Sequence, residues 1–316
     1  MRAARFHRFG GPDVLSVEEV PDPDPDPGQV LVRVRAAALN PKDVLVRSGK
    51  FRWLGGSRFP KGTGLDFAGE VVKAGAGVAD PSLAPGRRVF GMLNGWDART
   101  CAEQVVVPQD ELAPIADGLD VEAVAGVPLA GLTALQALRD DVRLGAGERL
   151  MVNGASGGVG TLAVQIGRIL GARVTGVSSA RNAALVQDLG ADEVVDYRTE
   201  DPLAGPRGPF DVVFDVFGNR TFRDARRVLS SRGRYVTTVP SPRILWDTAW
   251  TRLRPGPTAQ LVVVRSRRRD LAKLAGWLEA GTLRPVVDRV MPLDDIVQAH
   301  THLGTRRARG KVIIRP

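Results

Sequence analysis

Two hydrophobic periods divide the 316-residue chain. In the first third, apolar and polar positions alternate with a period of two. Residues 1–20 read as a hairpin and 29–38, 68–73, 88–92 and 102–107 as strands, with glycine- and proline-rich turns between them. This predicts an irregular barrel. From about residue 122, short apolar strands alternate with helical runs. Helices are predicted over 131–138, 181–189, 222–229 and 270–280, and strands over 193–196, 211–216, 234–239 and 260–264. Such alternation implies a parallel sheet covered on both faces. β character returns after residue 283 and ends in a strand over 311–314.

The second region carries the strongest local pattern. Leu150, Met151 and Val152 form a short apolar strand, and Gly154-Ala155-Ser156-Gly157-Gly158-Val159-Gly160 a tight turn. Val159, Ala163, Ile166 and Leu170 then fall at helical spacing before Gly171, and 172–177 read as a second strand. The result is a βαβ unit. Glycines permit a turn that side chains hinder, and they let a pyrophosphate approach the backbone. The N–H groups and partial positive charge of the helix start then face phosphate. The spacing departs from strict GxGxxG, but the strand–turn–helix setting is the one a dinucleotide site requires.

NAD-specific sites place an Asp or Glu about 20 residues past the glycines, to bind the ribose 2′-OH. Ser178-Ser179-Ala180-Arg181-Asn182 stands there instead, without an acid. Two hydroxyls and a guanidinium suit a 2′-phosphate, which predicts NADPH. The competing view makes Arg181 a solvated residue at a helix start.

Length suggests two domains. No apolar run approaches the ~20 residues of a membrane span, so no membrane association is expected. The first residues lack a signal-peptide pattern, and the single cysteine, Cys101, fits a cytoplasmic protein. The net charge of +9 is densest at Arg265, Arg267, Arg268 and Arg269. No aromatic-interleaved basic stripe accompanies it, so nucleic acid is not an expected partner. Asp22, Asp24 and Asp26 are splayed by interleaved prolines and do not read as a metal site.

Several short motifs stand in a telling order: Asn40-Pro41-Lys42-Asp43 with Arg47-Ser48-Gly49, Gly64-Leu65-Asp66-Phe67-Ala68-Gly69, Leu132-Thr133-Ala134, the 154–160 turn, Leu189-Gly190-Ala191-Asp192, and Gly310-Lys311-Val312. Almost end to end, the chain resembles the medium-chain dehydrogenase/reductase superfamily, in its zinc-free quinone oxidoreductase (zeta-crystallin-like) branch. The resemblance implies an α/β protein with a GroES-like, β-rich catalytic domain from residues 1–122 and 266–316. A Rossmann, doubly wound parallel-sheet domain binding the nucleotide would span 123–265. A homodimer is expected.

Zinc-dependent members carry Gly-His-Glu where this chain has Gly64-Leu65-Asp66, and a ligand cysteine where it has Asn40. Leucine has no lone pair to offer and an amide is a poor zinc ligand, so no metal is expected. His7, His300 and His302 are the only histidines. His300 and His302 would face different ways on a helix, and all three read as surface or tail residues.

Without a Lewis acid, alcohol oxidation is disfavoured. Hydride delivery to a quinone or an α,β-unsaturated carbonyl needs only positioning and modest oxyanion support. The nicotinamide is expected in a cleft between the domains, at the carboxyl ends of the parallel strands. Catalytic candidates are Asn40, as donor to the developing oxyanion, with Asp43, Arg47 and Thr133; Asp43 and Arg47 could equally form a helix ion pair. Leu45 stands where many relatives have tyrosine, which removes one proton donor. Cofactor candidates are Ser156, Gly157, Gly158, Val159, Ser178, Ser179 and Arg181. Tyr197 joins them as a neighbour of the adenosine ribose or as a half-buried strand-end aromatic. Val239 is a weaker candidate, and Lys311 reaches a phosphate or is merely an exposed strand lysine. Residues 240–257, with Trp246 and Trp250, read as lining the acceptor pocket or a dimer contact. Two alternatives stay open: an enoyl-thioester reductase in a biosynthetic pathway, and a non-catalytic NADPH-binding protein.

Overall fold

Strands β1 (Arg2–Phe6) and β2 (Leu15–Glu19) pair antiparallel as a hairpin. In β3 (Gln29–Leu39), Val30, Val32 and Val34 are buried and Arg33 and Arg35 exposed, after which the strand is buried throughout from Ala36 to Leu39. A proline in the first turn then starts α1 (Pro41–Arg47). The chain continues through α2 (Arg52–Gly55), β4 (Lys61–Gly62), β5 (Asp66–Ala74), β6 (Arg88–Met92), β7 (Gln104–Pro108), β8 (Leu112–Pro114) and α3 (Val121–Ala125). Helix α4 (Pro128–Leu135) begins three residues before the predicted helix and passes into a π-helical turn, Gln136–Asp141. The computed structural model describes residues 1–96, 98–204 and 207–316, and every side chain among them but that of Leu54.

The chain forms two units. One comprises Met1–Leu132, Arg265–Gly281 and Pro285–Pro316, the other Thr133–Val264 and Thr282–Arg284. The second unit holds β9 (Arg149–Asn153), α5 (Gly158–Ile169), β10 (Arg173–Ser178), α6 (Ala183–Asp188), β11 (Glu193–Asp196), β12 (Phe210–Asp215), α7 (Phe222–Ala225), β13 (Leu229–Thr237), α8 (Pro242–Thr251) and β14 (Thr258–Leu261). Its six strands are all parallel, in the order β11-β10-β9-β12-β13-β14, the doubly wound arrangement. Met151, Val177, Val195, Phe210, Val213 and Tyr235 pack in its core.

Further predicted boundaries move. The helix expected over 222–229 ends at Ala225, and Leu229 already belongs to β13. Phe210 N–H donates to the Val228 carbonyl at 2.7 Å and Phe210 pairs with Leu229, which draws this backbone to the sheet. A register shift before the Val212–Arg234 pair absorbs the polar residues between. The strand expected over 260–264 is β14, two residues earlier. Within the 240–257 segment, for which the sequence pattern predicts no element, Pro242–Thr251 form α8, capped by Ser241, which accepts from Ile244 N–H.

The chain's last part supplies α9 (Arg268–Glu279), β15 (Val287–Pro292), α10 (Ile296–Gly304) and β16 (Lys311–Arg315) to the first unit. Its larger sheet runs β15-β16-β3-β5-β6-β8, with β7 also on β3, and only the β15–β16 pair is parallel. Among the described residues, no helix is long and apolar enough to cross a membrane.

Candidate active site

Register brings three residues of the first unit to one end of its larger sheet. Ala38 pairs with Asp66, and Leu39 with Val312, so Asn40, Asp66 and Lys311 converge although 245 residues separate the last two. Lys311 Nζ donates to Asn40 Oδ1 at 2.5 Å and to Asp66 Oδ2 at 2.9 Å. Asn40 Nδ2 donates to Asp66 Oδ2 at 3.0 Å and more weakly to the Ala38 carbonyl at 3.4 Å, while Leu129 N–H reaches Asp66 Oδ1 at 2.8 Å. All three side chains are buried. Two expectations change. Lys311 is not an exposed strand lysine; it is buried with its ammonium on Asn40 and Asp66. Asn40 was expected to donate to an oxyanion, but its amide hydrogens are engaged inside the cluster, so it orients Lys311 and Asp66.

Asp43 sits at the third position of α1 and reaches back to accept from Asn40 N–H at 2.7 Å. Its other oxygen accepts from Gly64 N–H at 2.9 Å. Burial pushes its carboxyl up to about 6, against the pull of these two backbone bonds. The alternative of a helix ion pair between Asp43 and Arg47 is not found. Arg47 Nε instead donates to His300 Nδ1 at 3.3 Å and its Nη1 to the Gly10 carbonyl at 2.6 Å.

His300 was read as a surface or tail residue and is fully buried. It lies on the inward face of α10 with Ile296, Ala299 and Leu303. Burial and the Arg47 charge lower its imidazole to about 3, so it is neutral near pH 7. Because Nδ1 accepts from Arg47, the proton resides on Nε2, which donates to Thr63 Oγ1 at 3.0 Å. Of the other histidines, His7 fits the surface reading and meets Glu18, while His302 is part-buried and meets Asp288. Thr133 is buried in α4.

In the second unit, β9 ends at Asn153 and the chain turns at Gly154, whose φ of +88° favours glycine. A Cβ on Gly160 would overlap the Gly154 carbonyl oxygen and stand 2.8 Å from Ala155 Cα, so the turn lies directly on the helix. Gly157, the N-cap of α5, differs. A Cβ there would meet only the Gly154 oxygen, at 3.5 Å. No protein group requires this residue to be bare, and its bareness leaves the backbone open to a ligand. The first in-helix bond runs from Thr161 N–H to the Gly157 carbonyl at 2.9 Å, so the amides of Gly158, Val159 and Gly160 stand at the helix mouth without in-helix acceptors. Such a cradle fits a dinucleotide pyrophosphate.

The neighbouring strand ends are tied to this turn. Gly154 and Ala155 N–H donate to the Val177 carbonyl at 3.2 and 3.0 Å, and Asn182 Nδ2 donates to Ser156 Oγ at 3.0 Å. Asn153 Nδ2 donates to Asp215 Oδ1 at 2.7 Å, and Asp215 also accepts from Gly218 N–H, Arg220 N–H and Tyr235 O–H. Neither Asn182 nor Asp215 stood out in the sequence, since their roles depend on strands meeting side by side. Ser178 and Ser179 are buried at the end of β10, and Arg181 is exposed. The acid in register with Ser178, Asp196, accepts from Arg198 N–H. Tyr197 is 53% exposed, which removes the half-buried alternative, and Val239 is exposed as well.

Residues 26–117 match the alcohol dehydrogenase GroES-like domain family, and residues 189–314 the zinc-binding dehydrogenase family. A trans-enoyl reductase of Aspergillus terreus is 35% identical over 310 residues, covering 91% of this chain and 86% of that protein. The quinone oxidoreductase of Coxiella burnetii superposes with a TM-score of 0.91 at 30% identity, over 100% of this chain and 99% of that one. The chain belongs to the medium-chain dehydrogenase/reductase superfamily. The Escherichia coli quinone oxidoreductase, solved in complex with NADPH, matches over the whole of both chains with a TM-score of 0.85 and 26% identity. This medium-chain reductase is therefore an oxidoreductase of the quinone oxidoreductase type, with a nicotinamide cofactor.

The name of one matched family raises zinc, and the residues present do not fit it. Leu65 is a buried hydrocarbon, Asn40 offers only an amide, and the Lys311 ammonium already sits on Asn40 and Asp66. A cation is thus supplied by the chain itself, and a second one on the same oxygens would be repelled.

Proposed function

We propose that this reductase uses NADPH to reduce quinones and α,β-unsaturated carbonyl compounds without a metal. The observation that carries the reading is the Asn40–Asp66–Lys311 cluster. With an ammonium in place of a Lewis acid, acidifying an alcohol is disfavoured, and an acceptor that is electrophilic on arrival suits the site. The dinucleotide would be held at the helix mouth by Ser156, Gly157, Gly158 and Val159, with Tyr197 and Val239 as flanking contacts and Thr133 near the nicotinamide. Reduced, it supplies the hydride. Ser178, Ser179 and Arg181 favour NADPH over NADH. Arg181 is exposed and, among the described residues, has no ion-pair partner, so it is free to meet a 2′-phosphate. Asp43 and Arg47 act as positioning residues, through the Asn40 and Gly64 amides and through His300.

Likeness to the fungal trans-enoyl reductase favours a second reading, reduction of an enoyl thioester. We also infer a homodimer, to be read by light scattering, and a cytoplasmic location, in keeping with the buried free thiol of Cys101. The test is NADPH consumption, with NADH in parallel, against an ortho-quinone, a para-quinone, a 2-alkenal and an enoyl thioester. Quinone or alkenal turnover with NADPH preferred is expected, and Arg181→Ala should narrow that preference. Turnover of the thioester alone selects the second reading, and tight NADPH binding without turnover of any acceptor contradicts both.

A further inference from the structure

Reduction of a conjugated C=C bond leaves one proton to be delivered. Two electrons and a hydrogen arrive at the β-carbon, the π electrons shift to an enolate, and the α-carbon then needs H⁺. Leu45 has none to give. The titratable groups near Asn40 differ in what they can do. Asp43 is buried, and both its oxygens accept backbone N–H bonds. Lys311 is buried on two partners. Cys101 is buried, and burial pushes its thiol well up.

Lys42 lacks each of these obstacles. It follows Asn40 and Pro41 in the first turn of α1 and is only partly buried. Its Nζ donates to the Gly95 carbonyl at 2.5 Å and lies 4.5 Å from the centre of the Trp96 ring. Trp96 packs in turn on Phe51, with ring centroids 5.0 Å apart. The ammonium is thereby fixed in place, and partial exposure leaves donor capacity for a substrate and water to restore the proton. Burial pulls it below the ordinary lysine range, which sharpens its acidity, although the charges of Asp43 and Asp66 pull the other way.

We propose that Lys42 is the general acid that protonates the α-carbon of the enolate; the inference rests on the reductase reading above. The Nζ–H bond breaks and the Cα–H bond forms from the enolate electron pair. The carbonyl is restored, and the neutral amine regains its proton from water.

The test is reduction of an α-methyl enone by NADPH in D₂O, with product configuration read at short times. The wild-type protein should place deuterium on one face of the α-carbon. Lys42→Arg keeps the charge and the ring contact but has no proton to release at neutral pH. It and Lys42→Met should both lose about 100-fold in kcat and give deuterium on both faces. A Lys42→Arg protein at the wild-type rate would make Lys42 a fixed charge and overturn the proposal, as would a single product configuration from Lys42→Met. Melting and NADPH binding report whether the variants fold. If they do not, the accessible lysines of the wild type can be ¹³C-methylated. Tryptophan ring currents mark two signals, Lys42 over Trp96 and Lys273 over Trp277; one of the two must move when the saturated ketone is added, and two static signals overturn the proposal. Failure of the wild type to reduce any acceptor sinks the reductase reading itself, and this proposal with it.

Discussion

The two polar centres of this molecule handle their hydrogen-bonding groups in opposite ways. In the first unit, Asn40, Asp66 and Lys311 satisfy one another out of contact with water, and Asp43 joins them through backbone amides. In the second, the turn before α5 leaves the amides of Gly158, Val159 and Gly160 without in-helix acceptors, beside a bare Gly157. One is a closed network whose groups hold each other in place. The other is an incomplete site that a foreign anion finishes. Mutations in the first should therefore register as lost stability, and mutations in the second as lost binding.

The largest effect is expected at Lys311. Lys311→Met leaves the Asp66 carboxylate buried without its cation, which should cost about 3–5 kcal/mol of unfolding free energy, read from the urea midpoint. A loss below about 1 kcal/mol, the level of an exposed pair, would mean the network is not closed. Gly160→Ala comes next. Its Cβ meets backbone on both sides, so about 1–3 kcal/mol should go together with NADPH affinity.

The buried histidine gives a pH signature. Above pH 6.5 the imidazole is neutral in the folded and unfolded chains alike. As pH falls from 6.5 toward 3, the unfolded chain binds a proton that the folded one refuses, and stability drops. Asp43 acts in the opposite sense. Between pH 6 and 3.8 its folded carboxyl keeps a proton that the unfolded chain releases, so stability rises as pH falls through that window. His300→Gln removes the first contribution alone. Between pH 6.5 and 5 it should lose less stability than the wild type, by about 1–2 kcal/mol; a larger loss in the variant would contradict the neutral assignment.

Gly157→Ala is the mildest change and the sharpest discriminator. Its φ of −85° suits alanine and its Cβ has room, so the melting temperature should hardly move while the NADPH Kd rises. A large drop in melting temperature with affinity retained would make the glycine structural.

The same contrast explains what the sequence revealed. The dinucleotide cradle is local: strand, turn and helix lie between Arg149 and Ile169, and glycine spacing announces it. Strand β11 and the alternation of β3 were legible for the same reason, since period and punctuation are local. The closed network is not local. Nothing near residue 311 tells that it will lie beside residues 40 and 66; only the antiparallel register of β16, β3 and β5 does. His300 falls between these cases. Its spacing with Ile296 and Leu303 is that of one helix face, but a lone polar residue at that spacing does not by itself tell a buried position from an exposed one. The end of α7 was missed because its sequence stays helix-compatible while the sheet takes the backbone at Leu229.

The central claim is that the chain's own ammonium stands where zinc-dependent relatives use a metal. The most direct measurement is NADPH-dependent reduction of a quinone and a 2-alkenal by protein dialysed exhaustively against a chelator, then with zinc added back. The account predicts rates unchanged by chelation and by zinc. Activity abolished by the chelator and restored by zinc would contradict it.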